Sequence, residues 1–462
     1  MPRLLIAPFG FKGTLRATEV ARTIAEALRQ KFPSGVVEME GRPEPLTLDV
    51  CPLADGGTDT LAVLQFGSPP GRFVQKCLSV MGPLPQQTVE AAYLLAPAEN
   101  MAVVEAAQAH GIHHQVSVTA ESALNTTSYG VGELIRAAIQ ALKALSPTAA
   151  AVEHPPTLVV TLGGSASSDG GMGCLQALGY TFLTANREPL PVPISGADLP
   201  RIWHIQPPAE PPLGLVQLQV VVDVQNPLLG KNGAVRVYGP QKGAGPLEVT
   251  FLEAGLAYLD ERWRALCRLP GLLPGHPGEV FYCANSLASG QGLPWFSQWA
   301  GSGAAGGLAY GLLHLPDVRT LSDASKTRDA SSSLRLVEAI RSNRIRSGFE
   351  WTCAQLQLAQ RLRLADGFVT GEGRLDTTSW MGKGLGELLL QAGNRPGWLV
   401  CGQADDAVRA NLPANVLLST LQHNLSDFSQ PNSTAQHSEG AQAPLHCLVE
   451  TCFPVAHFFN GS

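Results

Sequence analysis

The chain has 462 residues, enough for two or three domains with a substantial hydrophobic core. Apolar residues make up 45% and charged residues 15%, which is typical of a soluble globular protein, and a net charge of -6 argues against the basic surface that nucleic-acid binding requires. There is no apolar run long enough to span a membrane and no evident secretory signal, and the nine cysteines, which contain no C-x-x-C pair, indicate free thiols. We therefore expect a cytoplasmic protein without nucleic-acid or membrane partners.

Two strand–loop–helix units are predicted at the start of the chain. Residues 4–7 form a predicted strand, followed by a loop and an amphipathic helix over 15–31, and residues 46–53 form a second strand. The second strand ends in Ala54-Asp55-Gly56-Gly57, and a helix begins near Thr58. Because ligands of open α/β sheets bind at the carboxyl ends of the strands, both loops are candidate binding loops.

The pattern changes further along the chain. Residues 73–95 alternate between apolar and polar side chains, which predicts antiparallel or mixed strands of a different domain. From His423 onward the sequence is rich in Ser, Gln, Asn and His with little periodicity, so we expect a poorly ordered or divergent tail over 423–462. Further elements are predicted at 101–107, 126–145, 216–222, 248–266, 301–312, 365–383 and 398–401.

The most distinctive stretch is residues 157–180, TLVVTLGGSASSDGGMGCLQALGY. Residues 158–162 predict a buried parallel strand, which ends at Gly163-Gly164, and helical spacing begins at Met172 after Asp169-Gly170-Gly171. A strand, a loop of small residues and a helix start place free backbone N–H groups where an anion can bind. The alternative is an ordinary βα turn in which Asp169 caps the helix.

Several predicted loops share one pattern, in which a strand ends and small residues surround an acidic residue or a lysine. Phosphoryl transfer needs these residue types, because carboxylates hold Mg²⁺ or accept a hydroxyl proton, while lysines and backbone amides bind phosphate oxygens. There is no P-loop motif, and the one G-x-G-x-x-G match, around Gly303, does not follow a predicted strand. The lone His110 has no ligand-spaced partner and is interpreted as a core or surface residue. The loop residues are Lys12, Asp55, Asp169, Asp223, Lys242, Glu372, Asp376 and Lys383.

Motifs along most of the chain resemble the bacterial glycerate kinase family. They are KGTLRATEVA, LADGG, TSYGVGELI, GGSASSDGGMGCLQALG, DVQNPLLGKNGA, GPQKGA, GSGAAGGL and ADGFVTGEGRLD followed by GK, in the family's order from residue 4 to about 402. The resemblance implies two α/β domains with an interdomain cleft: a flavodoxin- or Rossmann-like domain built from both chain ends, 1–70 and 290–422, and a second α/β domain inserted at 71–289. It implies ATP- and Mg²⁺-dependent phosphorylation of D-glycerate, with 2-phosphoglycerate rather than 3-phosphoglycerate as the usual product. A homodimer is one option for the assembly.

The resemblance also implies which residues form the site. Asp169 or Asp55 would activate the hydroxyl or bind Mg²⁺, and which residue has which role stays open. The implied catalytic set is Lys12, Asp55, Asp169 and Lys242; the substrate- and nucleotide-binding set is Gly163, Gly164, Ser165, Gly170, Gly171, Gly303, Glu372 and Lys383; the metal-binding set is Asp169, Asp223 and Asp376.

Some positions depart from the family pattern. Phe9 and Gly10 stand where the family usually has Asp and Ser, which removes a carboxylate and a hydroxyl from the first loop, and Asp59 is an acidic residue that could partly compensate. Ser168 replaces a usual Asn and Thr378 a usual Gln. Two alternatives therefore stand beside glycerate phosphorylation: a kinase of another small hydroxy acid, and a catalytically weak relative that binds nucleotide or glycerate for regulation.

Overall fold

The computed structural model describes residues 1–11, 13–39, 42–115, 117–145, 155–267, 295–316, 344–376, 379, 384–421, 442–443, 445–446, 448–450 and 452–459. The chain divides into two compact units. The terminal unit comprises Met1–Asp55, Ala62–Pro70 and Phe349–Ser462, and the central unit comprises Gly56–Leu61 and Gly71–Gly348. Neither unit contains a helix, within the described residues, that is long and apolar enough to cross a membrane.

The chain alternates between strands and helices in both units. The strands are β1 (Arg3–Ile6), β2 (Val36–Met39), β3 (Arg42–Pro45), β4 (Thr47–Val50), β5 (Val74–Met81), β6 (Thr88–Ala96), β7 (Met101–Glu105), β8 (Thr157–Leu162), β9 (Thr181–Leu183), β10 (His204–Gln206), β11 (Gln217–Val222), β12 (Ile345–Ser347), β13 (Gly367–Leu375), β14 (Gly397–Ala404) and β15 (Val416–Thr420). The helices are α1 (Ala17–Lys31), α2 (Thr60–Gly67), α3 (Ala107–His110), α4 (Ala120–Asn125), α5 (Tyr129–Leu145), α6 (Met172–Ala177), α7 (Ala234–Tyr238), α8 (Pro246–Cys267), α9 (Ala304–Leu313), α10 (Gly348–Gln355), α11 (Leu358–Leu364), α12 (Gly384–Ala392), α13 (Asp406–Arg409) and α14 (Val455–Phe459).

The terminal unit is built on a parallel sheet with the strand order β15-β14-β13-β1-β4. Read from the other edge, this is the flavodoxin-like order, in which the chain reverses direction between β1 and its neighbour β13. Ligands of such sheets bind where the order reverses, at the carboxyl ends of the strands. The loop after β1 and the end of β13 meet there, since the N–H of Phe9 donates to the carbonyl of Gly371 at 2.8 Å. The flavodoxin-like prediction is confirmed for this sheet.

The central unit has a six-stranded mixed sheet with the order β12-β11-β8-β7-β6-β5. Strands β7, β8, β11 and β12 are parallel, whereas β5 and β6 form an antiparallel pair, as the alternating pattern of residues 73–95 predicts. Helix α5 packs its apolar stripe, which includes Val131, Leu134, Ile135 and Ala138, into the core beside these strands. The parallel strands are apolar on both faces because helices cover them.

Residues 295–316 also belong to the central unit. The sequence analysis assigned 290–422 to the terminal domain, but Trp295, Phe296, Trp299 and Leu308 are buried in the central core. These large apolar side chains are removed from water in the central core, which stabilises the packing of the segment there.

The C-terminal residues of the described part pack against the terminal sheet. Leu445, Val449, Phe453 and Phe458 are buried in the same core as α1 and strands β1, β13 and β14. The sequence predicted a poorly ordered or divergent tail over 423–462; these four residues instead pack in the core, because burial removes their apolar side chains from water. Residues 422–441 lie outside the described residues.

Candidate active site

Two glycine-rich loops meet at the carboxyl edge of the central sheet. Gly163 follows β8, and a Cβ atom on Gly163 would lie 2.5 Å from the Cα of Gly57. Likewise, a Cβ on Gly164 would lie 2.7 Å from the Cγ2 of Thr58. Gly163 and Gly164 thus permit a backbone approach that a side chain would prevent, and they join the segment after Asp55 to the loop after β8.

Lys242 is the central charged residue of this loop cluster. Its side chain is buried, and the Nζ donates to the Ser165 hydroxyl at 2.9 Å and to the Ser167 carbonyl at 2.6 Å. Burial lowers the pKa of Lys242 to about 8, against the opposing effect of the Asp169 charge. Among the described residues, Lys242 forms no ion pair. An ammonium group has three N–H donors, so two protein contacts leave one donor for an anionic ligand.

His110 lies beside Lys242 and shares Ser167 with it. The His110 Nδ1 is 3.1 Å from the Ser167 hydroxyl, and burial, helped by the Lys242 charge, lowers the pKa of His110 to about 3. The imidazole is therefore neutral near pH 7. Within the described residues, the buried Nε2 has no hydrogen-bond partner. The sequence left open whether His110 is a core or a surface residue, and its full burial shows that it is a core residue; the sequence did not show its contact with the serine loop.

Asp169 holds two helices rather than facing an open site. Its Oδ2 accepts from the N–H of Ser128 at 2.8 Å, the hydroxyl of Ser128 at 2.7 Å and the N–H of Gly173 at 3.2 Å. Its Oδ1 accepts from the N–H of Gly171 at 3.1 Å. Burial raises the pKa of Asp169, while these hydrogen bonds lower it, and the net shift is upward. Asp169 is fully buried, and Oδ2 already accepts three hydrogen bonds, so the metal-ligand or base role implied by the resemblance stays a prediction, with Oδ1 as the oxygen that has acceptor capacity left.

Three glycines implied as binding residues are packing positions in the structure. Gly170 and Gly171 have φ values of 64° and 80°, and a Cβ on Gly171 would lie 3.1 Å from the Cα of Gly311 in α9. A Cβ on Gly303 would clash with the carbonyl oxygen of Pro227. All three glycines are buried, so their lack of a side chain allows the loop after β8 and the start of α9 to pack closely.

Asp223 is the exposed acidic residue at this edge. It follows β11, whose Val222 pairs with Leu162 of β8, so Asp223 lies level with Gly163. An exposed carboxylate beside the Gly163 loop is accessible to a cation, which Asp169 is not.

The terminal unit carries a second group of implied site residues. Glu372 lies in β13 opposite Cys401 of β14, and Asp376 follows β13, where its N–H donates to the Ser379 hydroxyl at 3.3 Å. The Phe9 ring is 5.9 Å from that of Phe349. Asp55 is half-buried at the end of the segment after β4. Lys12 and Lys383 lie outside the described residues.

Comparisons with known proteins agree with these motifs. The model of the glycerate kinase family matches residues 4–331 and 334–446. The chain belongs to the glycerate kinase family. It is 32% identical to a glycerate kinase of Haemophilus influenzae, over 82% of this chain and 80% of that protein, and 29% identical to a glycerate 2-kinase of Escherichia coli, over 82% and 79%. A crystal structure of a glycerate kinase 2 from Salmonella typhimurium LT2 has the same fold, with a TM-score of 0.62 at 23% identity and coverage of 97% and 96%.

Sequence reasoning missed several residues that organise the site of this glycerate kinase family member. Glu105 accepts a hydrogen bond from the backbone N–H of Leu61, and the Ser128 hydroxyl donates a hydrogen bond to Asp169. Each of these contacts holds a loop in place. Glu105 ends a run of apolar strand residues, MAVVE, so the rule that strand ends carry functional residues would have found it. Ser128 lies in the TSYGVGELI motif, but no local signal shows its contact with Asp169, which is 41 positions away.

Proposed function

We propose that this chain transfers the γ-phosphoryl group of ATP to a hydroxyl of D-glycerate, with 2-phosphoglycerate as the product. The observation that carries the proposal is the Lys242 ammonium, which is buried beside the serines of the loop after β8 and forms no ion pair with any residue that the structure describes. Burying a cation without a counter-charge is costly, and an anionic substrate group supplies that charge. The name of the Escherichia coli relative, glycerate 2-kinase, supports the choice of product.

Lys242 is suited to bind a phosphate or carboxylate oxygen. Its two protein contacts fix the direction of the third N–H, so the donor needs little reorganisation when the ligand arrives. The interior around it has a low effective dielectric constant, which strengthens an ammonium–anion contact relative to water. Neutral His110 adds no competing positive charge to this arrangement.

The described carboxylates fit a nucleotide-bound Mg²⁺ rather than a metal held by protein alone. No group of three or more His, Cys, Asp or Glu residues in the described part of the chain could hold a metal ion. Mg²⁺ in kinases is bound through one or two carboxylates together with substrate phosphates and waters, so exposed Asp223 is sufficient as a protein ligand. When bound, Mg²⁺ neutralises charge on the transferred phosphoryl group.

Asp55 is the proposed general base. In the reaction, the glycerate hydroxyl oxygen forms a bond to the γ-phosphorus, the bond from that phosphorus to the bridging oxygen breaks, and ADP leaves with the bond's electrons. The hydroxyl proton passes to the Asp55 carboxylate. We prefer Asp55 to Asp169 for this role because Asp55 is half-buried, whereas Asp169 is fully buried and its Oδ2 accepts three hydrogen bonds.

An ADP-release assay with Mg·ATP tests the proposal. The acceptors are D-glycerate, L-glycerate, glycolate, lactate and tartronate, and phosphorus NMR of the product distinguishes 2-phosphoglycerate from 3-phosphoglycerate. We expect turnover on D-glycerate and a 2-phosphate product. ATP binding without turnover on any acceptor would overturn the proposal in favour of a regulatory nucleotide-binding role.

Phe9 favours a second candidate, a kinase of another small hydroxy acid. The ring occupies the loop position where the family usually has an acidic residue, and it packs against Gly384 at the start of α12. An apolar ring in that place suits an acceptor with fewer polar groups than glycerate. Turnover on glycolate or lactate that exceeds turnover on D-glycerate would support this candidate.

A cytoplasmic location accompanies the proposed function. Every cysteine in the described part of the chain is a free thiol, as a reducing compartment would leave it. The homodimer stays a prediction.

A further inference from the structure

Glu105, the last residue of β7, is buried and binds the segment that follows Asp55. Its Oε2 accepts from the N–H of Leu61 at 3.0 Å, and its Oε1 accepts from the N–H of Asp59 at 3.3 Å and the Gln108 side chain at 3.3 Å. Glu105 therefore binds the N–H of Leu61, in the first turn of α2, and the N–H of Asp59, just before the helix, from a distant part of the chain. A helix start favours such a carboxylate, because its first N–H groups have no partners within the helix.

The same segment is held at two further points. Gly56, with a φ of 86°, lies so close to Gly348 that a Cβ would be 2.8 Å from the Gly348 Cα. Gly57 lies against Gly163. Asp59 has a φ of 69°, a conformation that costs a non-glycine residue free energy and persists only where surrounding contacts hold it. Residues 56–61 are thus fixed by two backbone contacts and one carboxylate.

We propose that Glu105 is a positioning residue, which fixes residues 56–61 against the loop after β8 for phosphoryl transfer. The inference rests on the proposed function, in which the same loop contacts Lys242 through Ser165 and Ser167. Gly57 of the segment lies against Gly163 of that loop. Small displacements of a catalytic group cost large factors in rate, so a fixed segment has kinetic consequences.

The chemistry of Glu105 agrees with this role. Burial raises its pKa to about 7, while the Leu61 N–H and the Gln108 amide lower it and the Asp59 charge raises it. Burying this carboxylate is costly, and the hydrogen bonds that its oxygens accept offset part of that cost. Two backbone N–H groups and one amide supply those contacts.

The test compares Glu105→Gln with Glu133→Gln. Glu133 is the matched control, because its Oε2 also accepts from a backbone N–H, that of Met81 at 2.8 Å. In Glu105→Gln, an amide NH₂ replaces one acceptor oxygen with little change in volume. We expect kcat to fall about tenfold or more with KM values for ATP and D-glycerate within about threefold, since positioning acts on the chemical step. Hydrogen exchange of the Asp59 and Leu61 amides should become about tenfold faster.

The control should keep kcat within about twofold of wild type and unchanged exchange at Asp59 and Leu61. Wild-type kcat in Glu105→Gln, or unchanged exchange at both amides, would overturn the proposal. If Glu105→Gln does not fold, Gln108→Ala removes one donor to the carboxylate and should lower kcat about twofold to fivefold, and wild-type kcat in that variant would also overturn it. Absence of turnover in the wild-type chain would overturn the proposed function and the kinetic part of this proposal. The exchange measurement would then still show whether Glu105 fixes the segment.

Discussion

The Lys242 ammonium and the Ser165 hydroxyl are 2.9 Å apart, although 77 positions separate the two residues in the sequence. This contact joins the PQKG segment to the loop after β8, and it places a buried cation among hydroxyl and backbone groups. Within the described residues no carboxylate forms an ion pair with Lys242, although the Asp169 charge acts on it from a greater distance, so the ammonium can still bind an anionic ligand.

Replacing Lys242 by Met tests the role of the cation. The methionine keeps most of the apolar stem and removes the charge, so we expect kcat/KM for D-glycerate to fall about 100-fold or more while the protein stays folded. The matched control is Lys76→Met on the exposed strand β5, which should retain activity within about twofold. Steady-state kinetics and thermal unfolding measure both effects. A Lys242→Met enzyme with wild-type kcat/KM would contradict the assignment.

The pH dependence of kcat/KM should show a basic limb near pH 8. The pKa of Lys242 is lowered to about 8, so the free enzyme loses the ammonium as the pH rises through that value. The effect of pH on stability has the opposite direction to its effect on activity. The folded state binds the Lys242 proton less tightly than the unfolded state, so the contribution of Lys242 to the free energy of unfolding rises between about pH 8 and its ordinary pKa of 10.5. Activity should therefore fall without unfolding. Lys242→Arg, which stays charged, should move the limb to higher pH in any residual activity, and an unmoved limb would assign it to another group.

The substitution Asp169→Asn tests whether Asp169 holds the structure through its hydrogen bonds or takes part in the reaction. The amide NH₂ would face the N–H groups that Asp169 now accepts from, so we expect the free energy of unfolding to fall by about 3 kcal/mol. Asp198→Asn is the control, since Asp198 also accepts from a backbone N–H, that of Ser195 at 3.1 Å, but is partly exposed. The Asp198→Asn substitution should lower the free energy of unfolding by about 1 kcal/mol or less. Urea unfolding measures both variants. An Asp169→Asn protein of wild-type stability but without activity would restore the catalytic role implied by the resemblance.

The sequence predicts the strands well and the contacts between loops poorly. Residues 158–162 and 216–222 are dense in β-branched and aliphatic side chains, and the structure has β8 and β11 there, because such runs become buried parallel strands. The role of Asp169 could not be read in the same way. An aspartate followed by glycines gives the same sequence pattern whether its side chain faces a ligand or, as here, contacts Ser128 at the start of a distant helix. Similarly, the close approach of Gly303 to Pro227 could not be predicted from the sequence, because the two residues are distant in the chain.

The last prediction concerns the C-terminal residues, where composition misled the sequence analysis. Polar residues dominate the sequence from His423, but Phe453 is 4% exposed and packs edge-on against Trp398, with ring centroids 5.4 Å apart, and in a stack with Phe458 at 5.2 Å. Phe453→Ala should lower the free energy of unfolding by about 3 kcal/mol, because it removes buried aromatic area and leaves a cavity. Leu390→Ala is the control, since Leu390 is 77% exposed in the same unit, and should change it by about 0.5 kcal/mol or less. Equal effects of the two substitutions in urea unfolding would show that the C-terminal residues add nothing to the terminal core.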